Sequence, residues 1–199
     1  MPRLSLTDLV DIVVSSGTPK ANRVRAIKNR PDYSPAIDFY KPLRDHIEQA
    51  HRQGKGKAHL KTLLASVTDK KKLTAYPPLI EGHRKWWGNK NLVWFQPPSS
   101  TYTEHGIDVS VNPELGLKIG GKAHLIKLYF KADPLTKNRI DVIHYLMHSQ
   151  LAKKSPADTT MAILEVRRSK LYTPTVAVQN LSAILSAELA YVATLWPKV

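Results

Sequence analysis

The stretch PELGLKIGGKAHLIKLYFK, residues 113–131, decides the fold of the second half of this 199-residue chain. Apolar residues alternate with polar ones on both sides of a Gly-Gly pair, which is the pattern of two strands joined by a tight turn. Both glycines can take positive φ, so the sequence predicts a two-residue turn at Gly120-Gly121. That turn fixes the register of the hairpin and sets Leu115 opposite Ile126.

Alternation with a period of two sorts the hairpin side chains onto two faces. The predicted core face carries Leu115, Leu117, Ile119, Ile126, Leu128 and Phe130. The predicted outer face carries Glu114, Lys118, Leu125, Lys127, Tyr129 and Lys131. Because Glu114 lies directly opposite Lys127, the simplest expectation for the two is a cross-strand ion pair worth about 0.2–1 kcal/mol.

The order of predicted elements gives the fold class. Short helical segments punctuated by proline and glycine fill residues 1–90, and strands dominate from residue 91. From residue 77 the order is helix, three strands, helix, strand, and a last amphipathic helix over residues 176–196. Strands grouped between helices predict an α+β protein. We therefore expect a basic helical region, residues 1–90, packed on a mixed or antiparallel sheet flanked by helices, residues 91–199.

Two local expectations follow from turn-forming residues. Proline is favoured in the first turn of a helix, so Pro77-Pro78 is predicted to begin a helix that Gly88 ends. The segment PPSSTYTEHG, residues 97–106, has the composition of a loop.

The composition favours a polyanionic partner. The chain has 30 Lys and Arg against 16 Asp and Glu, a net charge of +14, and a pI of about 9.9. Each cation that neutralises a phosphate releases a condensed counterion, so DNA or RNA is the expected partner. An interaction module that binds an acidic protein partner carries the same kind of charge, as does a basic protein that is merely soluble.

Several classes of protein are excluded or disfavoured by what the chain contains. It has no cysteine, which excludes disulfides, thiolate catalysis and Cys-ligated zinc. Asp8 and Asp11 interrupt the apolar patch near the N-terminus, so that patch does not match a signal peptide. No apolar segment approaches the length of a transmembrane helix. We expect a cytoplasmic protein with no membrane partner.

The hairpin motif and the element order resemble the PD-(D/E)XK nuclease superfamily over residues 77–168. In that family an acidic residue, usually after proline, opens the second core strand, and a (D/E)-x-K motif follows on the third. Pro113-Glu114 matches the first element, and Leu125-Ile126-Lys127 matches the second. The resemblance implies a metal-dependent phosphodiester hydrolase in which acids bind Mg²⁺ or Mn²⁺ and the lysine orients the attacking water.

By position, the resemblance implies that Glu114 and Glu81 are metal ligands and that Lys127 is catalytic, with Asp108 as a further nearby acid. The departure is Leu125, which stands where the family has its second carboxylate, and leucine offers no oxygen to a hard cation. Three alternatives stay open. The acid has moved, for example to Asp108; the fold persists as a binding module without catalysis; or the resemblance is accidental.

The whole chain is also similar to a family of uncharacterised bacterial proteins. The shared stretches are FYKPL, NPELGL and KLYFK, at residues 39–43, 112–117 and 127–131. This similarity implies a bacterial or phage origin and adds no activity.

Two segments pair cations with features of nucleic-acid binders. Residues 9–30 match a helix-turn-helix, although a plain helical hairpin with a solvated basic face has the same pattern. The segment HRKWWGNK, residues 83–90, places cations around two tryptophans that either stack on bases or anchor the helix in the core. The candidate contacts are Lys20, Arg23, Arg25, Lys28 and Arg30 of the first segment, Arg84, Lys85 and Trp86 of the second, and Lys118, Arg167 and Arg168 of the sheet.

A histidine pair suggests a second type of site. His144 and His148 lie four residues apart on a predicted helix, with Asp141 one turn earlier, and such a pair can bind a metal ion. The sequence HYLMH lacks the glutamate of a zinc protease motif, so a solvated or packing role is the alternative. His124, opposite Leu117 in the hairpin, is expected to be a core histidine.

Overall fold

The computed structural model of the protein describes residues 1–31, 38–174 and 180–199, and its fold is α+β. In these ranges the α-helices are α1 Leu6–Val13, α2 Gly17–Lys28, α3 Lys41–Arg52, α4 Lys70–Trp87, α5 Lys137–Leu151 and α6 Leu181–Leu195. The strands are β1 Arg3–Ser5, β2 Leu92–Phe95, β3 Ser100–Glu104, β4 Ile107–Val111, β5 Leu115–Ile119, β6 Lys122–Tyr129, β7 Thr160–Glu165 and β8 Lys170–Tyr172. Two 3₁₀ helices, Lys57–Ser66 and Val166–Arg168, complete the part of the fold that positions the site.

A five-stranded sheet of order β2-β5-β6-β7-β8 forms the centre of the molecule. Strands β6 and β7 are parallel, so α5 has to cross the sheet between them, whereas the other neighbours are antiparallel. Along the chain, α4, β2, β5, β6, α5 and β7 follow the predicted order of helix, three strands, helix and strand. Strands β3 and β4 are inserted between β2 and β5 and pair with β1 in a second sheet of order β1-β4-β3.

The hairpin of β5 and β6 has the predicted register. Leu115 pairs with Ile126, and the ladder continues to Ile119 opposite Lys122. Both turn glycines take positive φ, 57° and 85°, which only a residue without a side chain adopts at low cost. Local sequence is therefore sufficient to specify this element.

Both faces of the hairpin are buried, which corrects the expectation of a solvent-facing side. Ile126 and Leu128 pack in one core cluster, whereas Leu125 and Tyr129 pack in another on the opposite face. Leu125 is 0% exposed. The physical reason is the parallel β6–β7 pair, because its crossover helix covers the face that a simple antiparallel sheet leaves to water.

The two clusters define the two sides of the five-stranded sheet. The first cluster includes α1, α5, α6 and the three-stranded sheet, with Leu9, Val109, Leu125, Leu146 and Leu185 among its members. The second cluster includes α3, α4 and the 3₁₀ helix Lys57–Ser66, with Ile47, Leu60, Leu79, Leu115 and Leu164 among its members. Residues from both sides of position 90 contribute to each cluster.

Helix α4 begins earlier than the prolines predicted. Asp69 caps its first turn by accepting hydrogen bonds from the backbone of Lys71 and Lys72, at 2.7 and 3.0 Å. Pro77 and Pro78 consequently lie inside the helix, where proline cannot donate the hydrogen bond of a regular turn. The cap and the buried face of α4 outweigh that local penalty.

Gly82 lets α4 approach the end of β7. A Cβ atom at this position would lie 2.0 Å from the backbone oxygen of Val166. The helix and the 3₁₀ turn that follows β7 therefore meet backbone to backbone at this glycine.

Two other boundaries differ from expectation. Residues 100–104 form β3 rather than a loop, because pairing with β4, for example Tyr102 with Val109, supplies the strand with partners that its polar composition does not indicate. The C-terminal helix begins at Leu181, and residues 176–179 of its predicted start lie outside the described residues. None of the helices in the described ranges is long and apolar enough to cross a membrane.

Candidate nucleic-acid interface

Glu114 and Lys127 meet as the register predicts. The Lys127 Nζ atom lies 2.5 Å from the Glu114 carboxylate and 3.1 Å from the backbone oxygen of Asn112. The second oxygen of Glu114 accepts a hydrogen bond from the backbone N–H of Leu128 at 2.7 Å. Because β5 does not extend alongside Leu128, the Glu114 side chain takes the place of a strand partner for that N–H.

The other acids assigned by the resemblance have partners of their own. Glu81 is an exposed residue of α4 that binds Arg84 at 2.6 Å and Lys61 at 3.1 Å. Asp108 belongs to β4 in the three-stranded sheet, where it accepts a hydrogen bond from the Thr103 hydroxyl at 2.6 Å. Over residues 1–31, 38–174 and 180–199, no group of three or more His, Asp or Glu side chains is arranged to hold a metal ion.

Helix α3 brings two further charged residues near Glu114. Arg44 forms an ion pair with Asp38 at 2.8 Å, and its guanidinium is also close enough to Glu114 to feel its charge. Glu48 lies on the same helix, and burial, followed by the charges of Asp45 and Glu114, raises the pKa of its carboxyl. Sequence analysis missed both residues, since only the packing of α3 on the sheet places them beside the hairpin.

Most predicted contacts on α2 are already bound within the protein. Carboxylates hold three of them: Lys20 with Glu188 at 2.6 Å, Arg30 with Asp8 at 2.8 Å, and Arg23 with Asp11 at 3.9 Å. Lys28 donates to the backbone oxygen of Val199. Arg25 is exposed and has no ion-pair or hydrogen-bond partner among the described residues. The helix predicted to bind phosphates therefore keeps little free charge.

The tryptophans of α4 do not form a stacking surface. Trp86 is 4% exposed and packs in the second cluster, so its ring is not accessible to a base, which corrects its assignment as a contact. Trp87 is half-buried and stacks on the His51 ring with 4.2 Å between centroids. Arg84 is held by Glu81, whereas Lys85 is exposed and has no carboxylate within 4.0 Å in the described chain.

The helices on the second-cluster side, with the segment between them, carry a large surplus of positive charge. Residues 41–90 contain twelve Lys and Arg against four Asp and Glu, a surplus of eight in a chain whose net charge is +14. Eight of these cations have no carboxylate partner in the part of the chain that the structure describes, and two of the eight, Lys57 and Lys90, donate instead to backbone oxygens. We call the other six the basic layer: Arg52, Lys55, Lys70, Lys71, Lys72 and Lys85.

The three predicted contacts from the sheet differ in accessibility. Lys118 is exposed near the tip of the hairpin. Arg168 donates to Glu165 at 2.7 Å and to the backbone oxygen of Ala132 at 3.1 Å, which ties it to the loop before α5. Arg167 is half-buried, and its Nε atom is buried without a partner among the described residues. Only Lys118 stands clear of the surrounding structure.

A buried histidine pair joins α3 to α4. The Nε2 atoms of His51 and His83 lie 2.9 Å apart, and neither Nδ1 atom has a partner in the described structure. Burial lowers the pKa of His51 to about 4 and also lowers the pKa of His83. Both rings are therefore neutral at pH 7 and share one hydrogen bond.

The two histidines of the predicted His144–His148 pair lie in different environments. His144 is buried, its Nε2 atom lies 3.3 Å from the backbone oxygen of Tyr172, and burial lowers its pKa. His148 is exposed, and Asp141 pairs with Lys137 at 2.6 Å. His144 therefore has a packing role and His148 is solvated. His124 is half-buried rather than in the core as predicted, and its Nδ1 atom lies 2.8 Å from the backbone oxygen of Lys122.

Comparisons of this chain with known protein families, with curated proteins and with solved structures found no match.

Proposed function

We propose that this protein binds nucleic acid, with the basic layer, which lies on α3, α4 and the segment just after α3, as its contact surface for phosphates. The observation that carries the proposal is the lack of carboxylate partners for the six cations of that layer within the described residues. A cation already paired with a carboxylate has to lose that partner before it can neutralise a phosphate, whereas a solvated cation does not. A cytoplasmic location, where DNA and RNA are accessible, is part of the proposal.

The layer is held on a rigid support. Helix α4 extends about 27 Å at 1.5 Å per residue, and the second cluster fixes its inner face to the sheet. Lys57 donates to the backbone oxygen of Gly88 at 2.6 Å, which holds the segment after α3 against the end of α4. A backbone that is already ordered loses little freedom when a partner binds, which favours affinity.

We extend the proposal to a PD-(D/E)XK-like core in which binding persists without phosphodiester hydrolysis. The support for such a core is the strand order β2-β5-β6-β7 with a parallel last pair and a crossover helix. Pro113 and Glu114 directly precede β5, and Lys127 on β6 contacts Glu114. These are the positions at which the resemblance expects the motif.

The residues assigned to a divalent cation do not fit one. Leu125 is enclosed in the first cluster, both oxygens of Glu114 already accept hydrogen bonds, and Glu81 and Asp108 are bound elsewhere. Mg²⁺ takes six oxygen ligands, and a protein site for it needs at least one or two carboxylates that are free to face the ion. Hydrolysis is consequently left out of the proposal; nicking of DNA with Mg²⁺ or Mn²⁺ that disappears in Glu114→Ala would restore it.

Fluorescence anisotropy with mixed-sequence DNA and RNA, measured from low to physiological salt, tests the binding. We expect affinity for at least one of them to fall steeply with salt, with the logarithmic slope reduced by about 0.9 for each phosphate contact removed. The variant Lys70→Ala/Lys71→Ala/Lys72→Ala should bind at least about tenfold more weakly and show the shallower slope.

The matched control is Lys122→Ala/Lys153→Ala/Lys198→Ala, which removes the same charge from exposed positions outside the layer. Equal losses in the two triple variants would refute the assigned surface. No binding of either nucleic acid at low salt would refute the function, and equally tight binding of polyglutamate would favour an acidic protein partner instead.

A further inference from the structure

Three cations from different parts of the chain meet one carboxylate beside the end of β6. Asp11 of α1 accepts hydrogen bonds from Lys131, which follows β6, and from Arg139, in the first turn of α5. Arg23 of α2 approaches the same carboxylate at 3.9 Å. No other carboxylate in the described chain lies within 4.0 Å of these cations. We call the four residues the Asp11 group.

The charges of the Asp11 group do not balance. Three positive charges share one negative charge, which leaves a surplus of two, whereas Lys20 and Arg30 of α2 each have a carboxylate of their own. Asp11 and Arg139 are mostly buried, so water screens this surplus less than it screens charges on the surface. Pairing with Asp11 therefore leaves a strongly positive position on the first-cluster side.

Two of the three cations keep free hydrogen-bond donors that face water. The side chains of Arg23 and Lys131 are 47% and 34% exposed. The Nε atom of Arg23 donates to the Ser15 hydroxyl at 2.7 Å, which orients the guanidinium and leaves its two terminal nitrogens without a hydrogen bond in the described structure. Both cations contact the same Asp11 oxygen, Oδ2, so one small ion can reach both of them.

A buried hydroxyl near the Asp11 group also lacks an acceptor. Tyr129 is 6% exposed, and its hydroxyl has no hydrogen-bond partner among the described residues. Burial raises the pKa of this hydroxyl, and the charges that affect it are those of Arg139, Asp11, Asp133 and Glu165, in that order. Of the two further acids, Glu165 has a cation partner of its own and Asp133 is exposed. A buried donor without an acceptor costs free energy, and an anion beside it lowers that cost.

We propose that the Asp11 group binds a phosphate-type oxyanion, held between Arg23 and Lys131 on the solvent side of Asp11. A phosphate group carries close to two negative charges at pH 7, which matches the surplus of two. Its oxygens accept charge-assisted hydrogen bonds from a guanidinium and an ammonium group at once, which a single bound carboxylate has already shown to be possible here. The phosphate belongs either to a small molecule or to the backbone of a nucleic acid.

The Asp11 group is separate from the basic layer. Helices α1, α2 and α5 contribute to the first cluster, whereas α3 and α4 contribute to the second, on the other side of the five-stranded sheet. Phosphate can therefore occupy the Asp11 group whether or not a nucleic acid lies on the basic layer. The inference consequently does not rest on the proposed function.

Isothermal titration calorimetry with inorganic phosphate, at an ionic strength held constant with chloride, tests the site. Arg23→Gln and Lys131→Met each remove one charged donor and should weaken phosphate binding at least about tenfold. The matched controls are Arg25→Gln, an exposed cation of the same helix, and Lys122→Met, an exposed cation of β6, which should change it by less than about twofold. No phosphate binding, or equal losses in variants and controls, overturns the proposal.

A measurement on the unaltered protein covers the case in which a variant fails to fold. In the ¹⁵N-labelled chain, the Nε–H signal of Arg23 should shift as phosphate is added, and that of Arg25 should shift much less, because only Arg23 belongs to the Asp11 group. Equal shifts of the two signals would mean that phosphate binds without preference for this position, and would overturn the proposal.

A DNA oligonucleotide distinguishes the two sources of the phosphate. If backbone phosphates occupy the Asp11 group, Arg23→Gln should weaken oligonucleotide binding in anisotropy, and inorganic phosphate should compete with the oligonucleotide. If the phosphate belongs to a small molecule, Arg23→Gln should abolish phosphate binding and leave oligonucleotide binding unchanged. Phosphate binding through Arg23 in a protein that binds no nucleic acid would refute only the proposed function, whereas nucleic-acid binding without phosphate binding at Arg23 would refute only this inference.

Discussion

Helix α2 and the basic layer look alike in sequence and differ in the fold. Residues 20–30 contain five Lys and Arg and no acid, yet α1 and α6 supply the carboxylates that bind three of them. The six cations of the basic layer have no such partners in the described residues. The difference teaches that a count of positive residues locates charge, whereas the pairing of those residues decides which charge is free to act.

The largest effect is expected for a substitution at Gly82, where the helix that carries part of the basic layer packs against the end of β7. Gly82→Ala sets a Cβ against the Val166 backbone at 2.0 Å, and neither backbone segment yields without losing its packing. We expect a loss of at least about 3 kcal/mol in the free energy of unfolding, although Gly→Ala in a helix ordinarily stabilises. Urea denaturation measures the loss. The control Gly56→Ala meets nothing within 4 Å and should change stability by less than about 0.5 kcal/mol.

The buried histidine pair should make the stability of the protein depend on pH. The pKa of His51 is about 4 in the folded protein and 6.5 when exposed, so the unfolded state binds a proton first as pH falls. Stability is complete above pH 6.5 and should decline from there to about pH 4, by about 3 kcal/mol for His51. Urea denaturation at several pH values should show this slope reduced in His51→Gln. An unchanged slope would contradict the assignment.

Removing a carboxylate from α1 should leave cations near α1 and α2 without a partner, as the cations of the basic layer are. Asp11 binds Lys131, Arg139 and Arg23; burial alone would raise its pKa, but the hydrogen bonds from Lys131 and Arg139 outweigh burial and lower it. Asp11→Asn should cost about 1–2 kcal/mol of stability after solvent screening. It should also raise affinity for nucleic acid at low salt by a few fold, measured by anisotropy. Unchanged affinity would show that the location of these cations, and not only their pairing with Asp11, keeps them from binding nucleic acid.

The smallest expected effects come from two single exposed cations. Arg25 on α2 and Lys85 on α4 both lack partners among the described residues, so they differ mainly in which side they occupy. Lys85→Ala should weaken nucleic-acid binding about threefold and reduce the salt slope by about 0.9. Arg25→Ala should change the affinity by less than about twofold. Equal effects would mean that both sides contact the polyanion.

The fold was predictable where local chemistry decides it. The Gly120-Gly121 turn and the alternation around it specify the hairpin, and its register places Glu114 beside Lys127. The burial of Leu125 was not predictable, because it depends on α5 crossing the sheet between two parallel strands. Strand β3 contains three strand-forming residues, Thr101, Tyr102 and Thr103, but the turn-forming residues on both sides of it gave the whole segment the composition of a loop.

The positive charge of the candidate site was predictable from the sequence, but the ion pairs that its cations form were not. The surplus of Lys and Arg is visible in the sequence, but the partner of Lys20 lies 168 residues away on α6. Trp86 illustrates the same limit, since a tryptophan among cations has the same sequence pattern whether it stacks on bases or fills a core. Glu48 comes near Glu114 only through the packing of α3, for which no local signal exists.

The pairing of β1 with β4 carries a consequence for the order of folding. Arg3 is matched with Asp108, so the first strand of the protein finds its neighbour only after roughly a hundred further residues. During synthesis from the N-terminus, α1 and α2 emerge long before the surface that covers them. Closing so long a loop is slow compared with forming the hairpin at Gly120-Gly121. The first-cluster side of the sheet, which holds α1, α2 and α6 and the carboxylates that pair with the α2 cations, is therefore completed last.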